Sequence, residues 1–452
     1  MRRVLCLFLA LMCGVAVSVQ AGVSVSILTP PDGVYVDTGT TVSVNGEYTS
    51  TLRTAILTFY VDNIPQAAQE VAKADLPTPY PSAFQWDTTL FSLGKHTLKV
   101  KIDGGECGTD TAEIEATVFK ASIKSITFTS DHGVLTTYDL DYAGTNGTIF
   151  GSPDWRDDTG TDTPITQKRN TSLTANVVVK IQPEGLPFNL IGDGPDNYVD
   201  FNGSGTSTGD DLSVSVTAAA ALPNQIATLT RSINWKVVFT NPDPDVEKSI
   251  ESSGQHKVYV TWDTPGDGEP TLHRVKWVCL QADGKDTAEK IADALWDAVA
   301  SQTTSGDLGT DGWALLDGGS GDCDNQARCM QYAVQLIGGS ASVKYVGAST
   351  DAGPGNCLDY EERECPVHGP EKLLLDFYGG GTPGNMNQFE GCCVTACYYY
   401  AVTPKLKTAN DYTLLLALGN LGVTQHYCWW DETIDWWRPC SESGSTPDIP
   451  SP

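Results

Sequence analysis

Residues 23–44 read VSVSILTPPDGVYVDTGTTVSV, and the alternation in that stretch decides what the chain builds. Val23, Val25 and Ile27 are separated by Ser24 and Ser26, the turn Pro30-Pro31-Asp32-Gly33 interrupts them, and Val42 and Val44 resume the pattern. Successive side chains of a strand point to opposite faces, so a period of two makes a strand with one face buried and one in water. Runs at 55–61, 96–102 and 114–119, separated by Gly, Pro and Asp turns, continue the pattern and predict a β-sandwich over residues 22–119. Further strand-like runs at 123–128, 173–179, 212–216, 233–239 and 258–262 predict a second sandwich with long loops over residues 120–264.

A chain of 452 residues is too long for one compact core, and at roughly 150 residues per domain it predicts about three units. Hydrophobic residues make up 40% and charged residues 19%, which supplies packed cores and too little charge for a solvated coil. Lys and Arg total 28 against 56 Asp and Glu, and the net charge of −28 repels polyanions. That argues against nucleic acid and against an anionic membrane surface as partners.

Arg2 and Arg3, an apolar run over 4–19, then Gln20, Ala21 and Gly22 predict a secretory signal peptide over residues 1–21. The remainder is expected to be secreted, periplasmic or held at the cell surface. Of the thirteen cysteines, Cys6 and Cys13 leave with the leader, so eleven remain. An odd number in an oxidising compartment leaves one thiol free or pairing between chains. No later stretch approaches the ~20 apolar residues that cross a bilayer, and residues 441–452 form a polar tail expected to be disordered.

The Asp- and Gly-rich loops at 154–162 and 193–211 have two readings. Their oxygens could hold a structural Ca²⁺, or they build solvated turns; none matches the spaced EF-hand pattern, and the turn reading is the stronger. No other cofactor is expected.

Near Pro265 helical periodicity appears, and nine of the remaining cysteines lie beyond Leu315. Asp286 with Glu289 is expected to cap a helix whose apolar stripe is Ile291, Leu295 and Val299. The segment GGSGDCDNQARCM at 318–330 is the most informative. Its glycines make a turn, and Ala327, Met330, Val334 and Ile337 then follow at helical spacing until Gly338-Gly339. Cys323 thereby stands at a helix N-terminus, where unpaired N–H groups and the dipole favour a thiolate, while Asp322 and Asp324 oppose it.

Two resemblances follow from these residues. The stretches ILTPPDGVYVDTGTTVSVNGEY (27–48) and FSLGKHTLKVKI (91–102) resemble bacterial immunoglobulin-like domains, which implies a spacer or adhesive module. Gly321-Asp322-Cys323 opening a helix, Ala327, the closing Gly338-Gly339, the strand SVKYVGAS (342–349) and the lead-in HKVYVTWDTP (256–265) resemble the transglutaminase-like superfamily of secreted bacterial proteins. That resemblance implies a papain-like α+β domain over 265–440, and hence a multidomain chain of β-sandwiches followed by an α+β unit. It also implies a Cys-His-Asp triad in which Cys323 attacks an acyl carbon.

The other two triad positions depart from the family. Asn387 or Cys392 falls where the His is expected, and Thr403, before Pro404, falls where the Asp is expected. Neither Asn nor Thr takes a proton from a thiol. His368, ahead of Asp376, is the candidate base of a rearranged triad, or a plain loop histidine; His426 reads as packing. Cys357, Cys365, Cys392, Cys393, Cys397, Cys428 and Cys440 read as disulfide formers rather than zinc ligands. Trp429, Trp430, Trp436 and Trp437 either close a core or present sugar-stacking faces. Two functions remain in view. One is a non-catalytic binding or structural module with an extracellular protein or glycan as partner; the other is a cysteine acyltransferase or peptidase built on Cys323.

Overall fold

The computed structural model describes residues 23–74, 79–105, 108–129, 150, 152–240, 245–264, 271–301, 312–315, 323–349, 389–401, 406–408, 426–431 and 436–439. The first unit is built from β1 (Val23–Thr29), β2 (Val34–Asp37), β3 (Thr41–Val61), β4 (Ile64–Ala74), β5 (Tyr80–Asp87), β6 (Gly94–Asp103) and the first half of β7 (Thr109–Phe128). β3 serves two sheets. Its first part pairs with β1 and β5, and its second part, from Ser50, pairs with β4 and, from Ile56, with β6. One layer is therefore β1-β3-β5 and the other β4-β3-β6-β7-β2, with β2 parallel to β7. This is an immunoglobulin-like sandwich. The alternation is what fills it: Val44, Leu57, Phe59, Trp86, Leu98 and Val100 are buried between the layers, and each such side chain contributes roughly 1.5–3 kcal/mol of hydrophobic stabilisation.

The second unit repeats the plan. It uses the second half of β7 with β8 (Trp155–Arg156), β9 (Ile165–Lys168), β10 (Ser172–Gln182), β11 (Pro187–Asp193), β12 (Phe201–Thr206), β13 (Asp211–Ala221), β14 (Ala227–Phe239) and β15 (Val246–Thr261). The strand order is β7-β10-β13-β12-β11-β14-β15-β9, with only a short pairing between β13 and β12, and β9 runs parallel to β15 as β2 runs parallel to β7. β7 is thus the last strand of one sandwich and the first of the next, and the boundary read at residue 119 falls inside it. At that point Phe239 meets Phe119 and Tyr35 edge-on, at centroid distances of 4.6 and 5.1 Å. Lys248 Nζ bonds Asp37 Oδ2 at 2.5 Å, and Val246 packs on both cores.

Beyond β15 come α1 (Leu272–Gln281), α2 (Ala288–Ala300), α3 (Cys323–Leu336), β16 (Ala341–Ser349), β17 (Phe389–Thr395), β18 (Tyr398–Ala401), β19 (Leu406–Thr408), β20 (His426–Asp431) and β21 (Trp436–Pro439). The strands make an antiparallel sheet in the order β19-β18-β17-β16-β20-β21. α1 shares its apolar cluster, Val275 and Val278 included, with Ile226 and Tyr259 of the second sandwich. The expected cap of α2 is corrected: the N-cap is Thr287, whose hydroxyl accepts from Lys290 N at 3.3 Å, whereas Asp286 pairs with Lys290 Nζ at 2.7 Å. A hydroxyl one residue nearer the first turn reaches the unpaired N–H groups that a capping side chain must satisfy. α3 buries Ala327, Met330 and Val334, Ile337 just beyond its end is buried too, and Gly338 follows at φ +80°, the left-handed conformation that closes a helix. The whole is mostly β-sheet in several units, and no helix among the described residues is long and apolar enough to cross a membrane.

Candidate functional site

α3 opens at Cys323, so the unpaired N–H groups of its first turn lie at this residue. Asn325 and Gln326, in the same first turn, are fully buried. Trp313, in a short turn at 312–315, lies beside α3: its ring is 5.7 Å from that of Tyr332 on α3, and the Arg274 guanidinium of α1 stands 4.8 Å from its centroid. Facing α3 is the hairpin of β17 and β18, turned through Ala396 and Cys397 at φ 50° and 66°. Two successive left-handed residues are the geometry that matches strand twist in a tight hairpin.

This hairpin carries the strands that were matched to the family's His and Asp. Cys392 lies on β17 opposite Lys344 and Ala401 and is fully buried. His368, Asp376, Asn387 and Thr403 lie outside the described residues, and Cys323 is described by its helical backbone. His426 stands on β20 opposite Ser349. The structure therefore brings α3 and the β17–β18 hairpin into one packed unit.

α2 clamps the hairpin from the side. Tyr400 Oη donates to Asp293 Oδ1 at 3.1 Å, Trp296 Nε1 donates to the Ala401 carbonyl at 3.0 Å, and Lys407 Nζ reaches Asp293 and Glu289 at 2.7 Å each. Burial, followed by the Asp293 carboxylate, pushes the Tyr400 phenol far up, so it remains a donor throughout the biological range. On the outer side of α2 lies a polar cavity of about 540 Å³ lined by Gln281, Lys285, Lys290, Asp293, Asp297 and Ser301.

A second constellation, not read from the sequence, sits in the second sandwich. His256 Nε2 is 2.8 Å from Ser253 Oγ, and His256 Nδ1 is 3.0 Å from Asp162 Oδ1. Trp235 Nε1 donates to Ser253 Oγ at 2.9 Å, and Gln255 N donates to Asp162 Oδ2 at 2.6 Å. The order Ser-His-Asp is that of a hydrolase triad. Its surroundings are not. Ser253 and His256 are each 1% exposed, and Phe128 stands edge-on to the imidazole at 5.3 Å. A substrate has no approach to the hydroxyl, and the network instead fastens the loop carrying Asp162 to a bulge in β15 between the Ile233 and Arg231 pairings. Gly254 is obligatory there: at φ +48° a Cβ would lie 2.3 Å from Asp162 Oδ2.

The acidic loops use their carboxylates on the chain. Asp154 Oδ2 accepts from Phe128 N at 2.7 Å, Asp200 Oδ1 from Gly194 N at 3.0 Å, and Asp196 pairs with Arg231 Nε at 2.6 Å. Among the described residues no group of three or more His, Cys, Asp or Glu is placed to hold a metal ion.

Neither a protein-family model nor a curated protein matches the chain. Among solved structures it is similar to the CARDB domain of a Pyrococcus furiosus protein in complex with di-metal ions, at 12% identity, over 22% of this chain and 93% of that one, TM-score 0.19. It is likewise similar to fibronectin(III)-like modules of Clostridium thermocellum CbhA, at 16% identity over 21% of this chain and 93% of that one, TM-score 0.17. A two-domain likeness is to titin domains z1z2 in complex with telethonin, at 14% identity over 52% of this chain and 95% of that one, TM-score 0.17.

Proposed function

We propose that the chain is a secreted or surface protein in which a degenerate transglutaminase-like α+β domain, over residues 265–440, serves as a binding or structural module. Two immunoglobulin-like sandwiches carry it, and its partner is an extracellular protein or glycan. The observation that supports this reading is the placement of Cys392, which stands at a position the family resemblance gives to the His. Its side chain is fully buried in β17, so it offers no base to a substrate. A nucleophilic cysteine without a base gains little rate.

The alternative, a cysteine acyltransferase or peptidase using Cys323 with His368 as base, is favoured by one observation: Cys323 is the first residue of α3, where helix N–H groups stabilise a thiolate. Brief iodoacetamide labelling of the folded chain at neutral pH, followed by peptide mapping, separates the two. Under the binding-module reading Cys323 is alkylated no faster than the exposed Cys397. Selective labelling of Cys323, together with acyl transfer from a glutamine peptide that Cys323→Ala abolishes, establishes the enzyme instead.

A further inference from the structure

The described side chains include five cysteines: Cys279, Cys329, Cys392, Cys393 and Cys397. Cys279 is in the cluster under α1, and burial, then Asp283, pushes its thiol up to about 12. Cys397 is exposed on the hairpin turn. Cys392 and Cys393 are neighbours on β17 and therefore point to opposite faces of the sheet. Cys393 takes the face toward α3. There it shares one apolar cluster with Cys329 of α3, beside Met330, Leu315, Ala292 and Tyr400, and both cysteines are 0% exposed. Burial, and next the Cys329 thiol, pushes the Cys393 thiol up.

The geometry points to a disulfide between Cys329 and Cys393 that staples α3 to β17. In an oxidising compartment the reaction is two thiol–disulfide exchanges with a disulfide-bearing donor, such as an oxidoreductase or oxidised glutathione. One thiol, deprotonated, attacks a donor sulfur and expels the donor's first thiolate, leaving a mixed disulfide. The second protein thiolate attacks the protein sulfur of that mixed disulfide and expels the donor's second thiolate. The protein loses two electrons and two protons, and the donor gains both. Because the packed domain keeps Cys393 protonated, the exchange belongs to the stage before α3 docks on the sheet, and the finished bridge is shielded from reductants. The inference goes beyond the proposed function and stands whether or not Cys323 reacts.

The test uses the full chain, reduced and unfolded, then refolded in reduced and oxidised glutathione. The product is unfolded in excess N-ethylmaleimide, digested without reductant and mapped by mass spectrometry. One peptide pair joined through Cys329 and Cys393, and released by reduction, is expected. Alkylation of both residues, or a bridge from either to another cysteine, overturns the inference. Thermal melting gives a second measurement, since Cys329→Ala and Cys393→Ala also leave small cavities. If the bridge exists, each single variant lowers the Tm by roughly 5–15 °C and the double variant loses about as much as one single. Losses that simply add would mean two independent packing residues, and the bridge would be wrong.

Discussion

The buried ring of His96 meets an acceptor at each nitrogen: Nε2 is 2.8 Å from the Ser92 carbonyl and Nδ1 2.6 Å from Asp62 Oδ2. Burial alone would raise the Asp62 carboxyl, but the hydrogen bond from His96, the Thr97 N–H and the His96 charge outweigh it and hold it below its ordinary 3.8. A depressed folded value means that the carboxylate adds stability in full above 3.8 and loses it as pH falls from there through the lower folded value. Urea unfolding followed across that acid range should show the first sandwich weakening, and Asp62→Asn should start weaker at neutral pH and flatten the dependence. In the second sandwich, Ser253→Ala strips the shared partner from two buried nitrogens, Trp235 Nε1 and His256 Nε2. An orphaned buried polar group costs roughly 1–3 kcal/mol, which a denaturant midpoint of the purified variant should register. Neither arrangement could be read from the chain. Asp162 and His256 stand 94 residues apart, and only the fold brings them together.

Elements were legible where one face alone is buried. In β10, SLTANVVVKIQ, every second residue is buried, and the period of two that predicted it is the same fact seen in sequence. α1 was not anticipated. LHRVKWVCLQ buries Arg274, Val275, Val278 and Cys279, and a buried Arg amid apolar residues blurs the stripe that marks a helix. Capping was legible to within one residue: the Asp-Thr pair at 286–287 signals a helix start, but spacing alone does not choose between two residues that both cap well. The structure chooses Thr287, so Thr287→Ala should cost about 1 kcal/mol, and Asp286→Ala only a few tenths as an exposed pair with Lys290. The three described α-helices all lie after β15, so the loss is expected in the helical circular-dichroism transition and not in the β-sheet signal. The start of α3 at Cys323 was readable from glycines followed by helical spacing. The positions that the resemblance gives to His and Asp were not, because they depend on strands that a family resemblance can align only approximately.

At the scale of the molecule, the two sandwiches share a strand rather than a linker. Phe239, buried on β14, touches both Phe119 on that strand and Tyr35 of the first unit. Phe239→Ala should cost roughly 3–5 kcal/mol in the second sandwich. It should also loosen the pair: small-angle scattering of the variant is expected to show a broader distribution of inter-sandwich distances than the parent, and an unchanged distribution would place the rigidity in β7 alone. The parallel pairing of β2 with β7, and of β9 with β15, has a mechanical meaning. In the first sandwich it joins an early strand to the last one, so tension applied to the two ends of that sandwich is expected to slide the parallel strands past each other. The hydrogen bonds of the pair then carry the load together instead of opening one by one. With β7 shared and no linker between the units, a load entering one sandwich is expected to reach the other without first taking up slack.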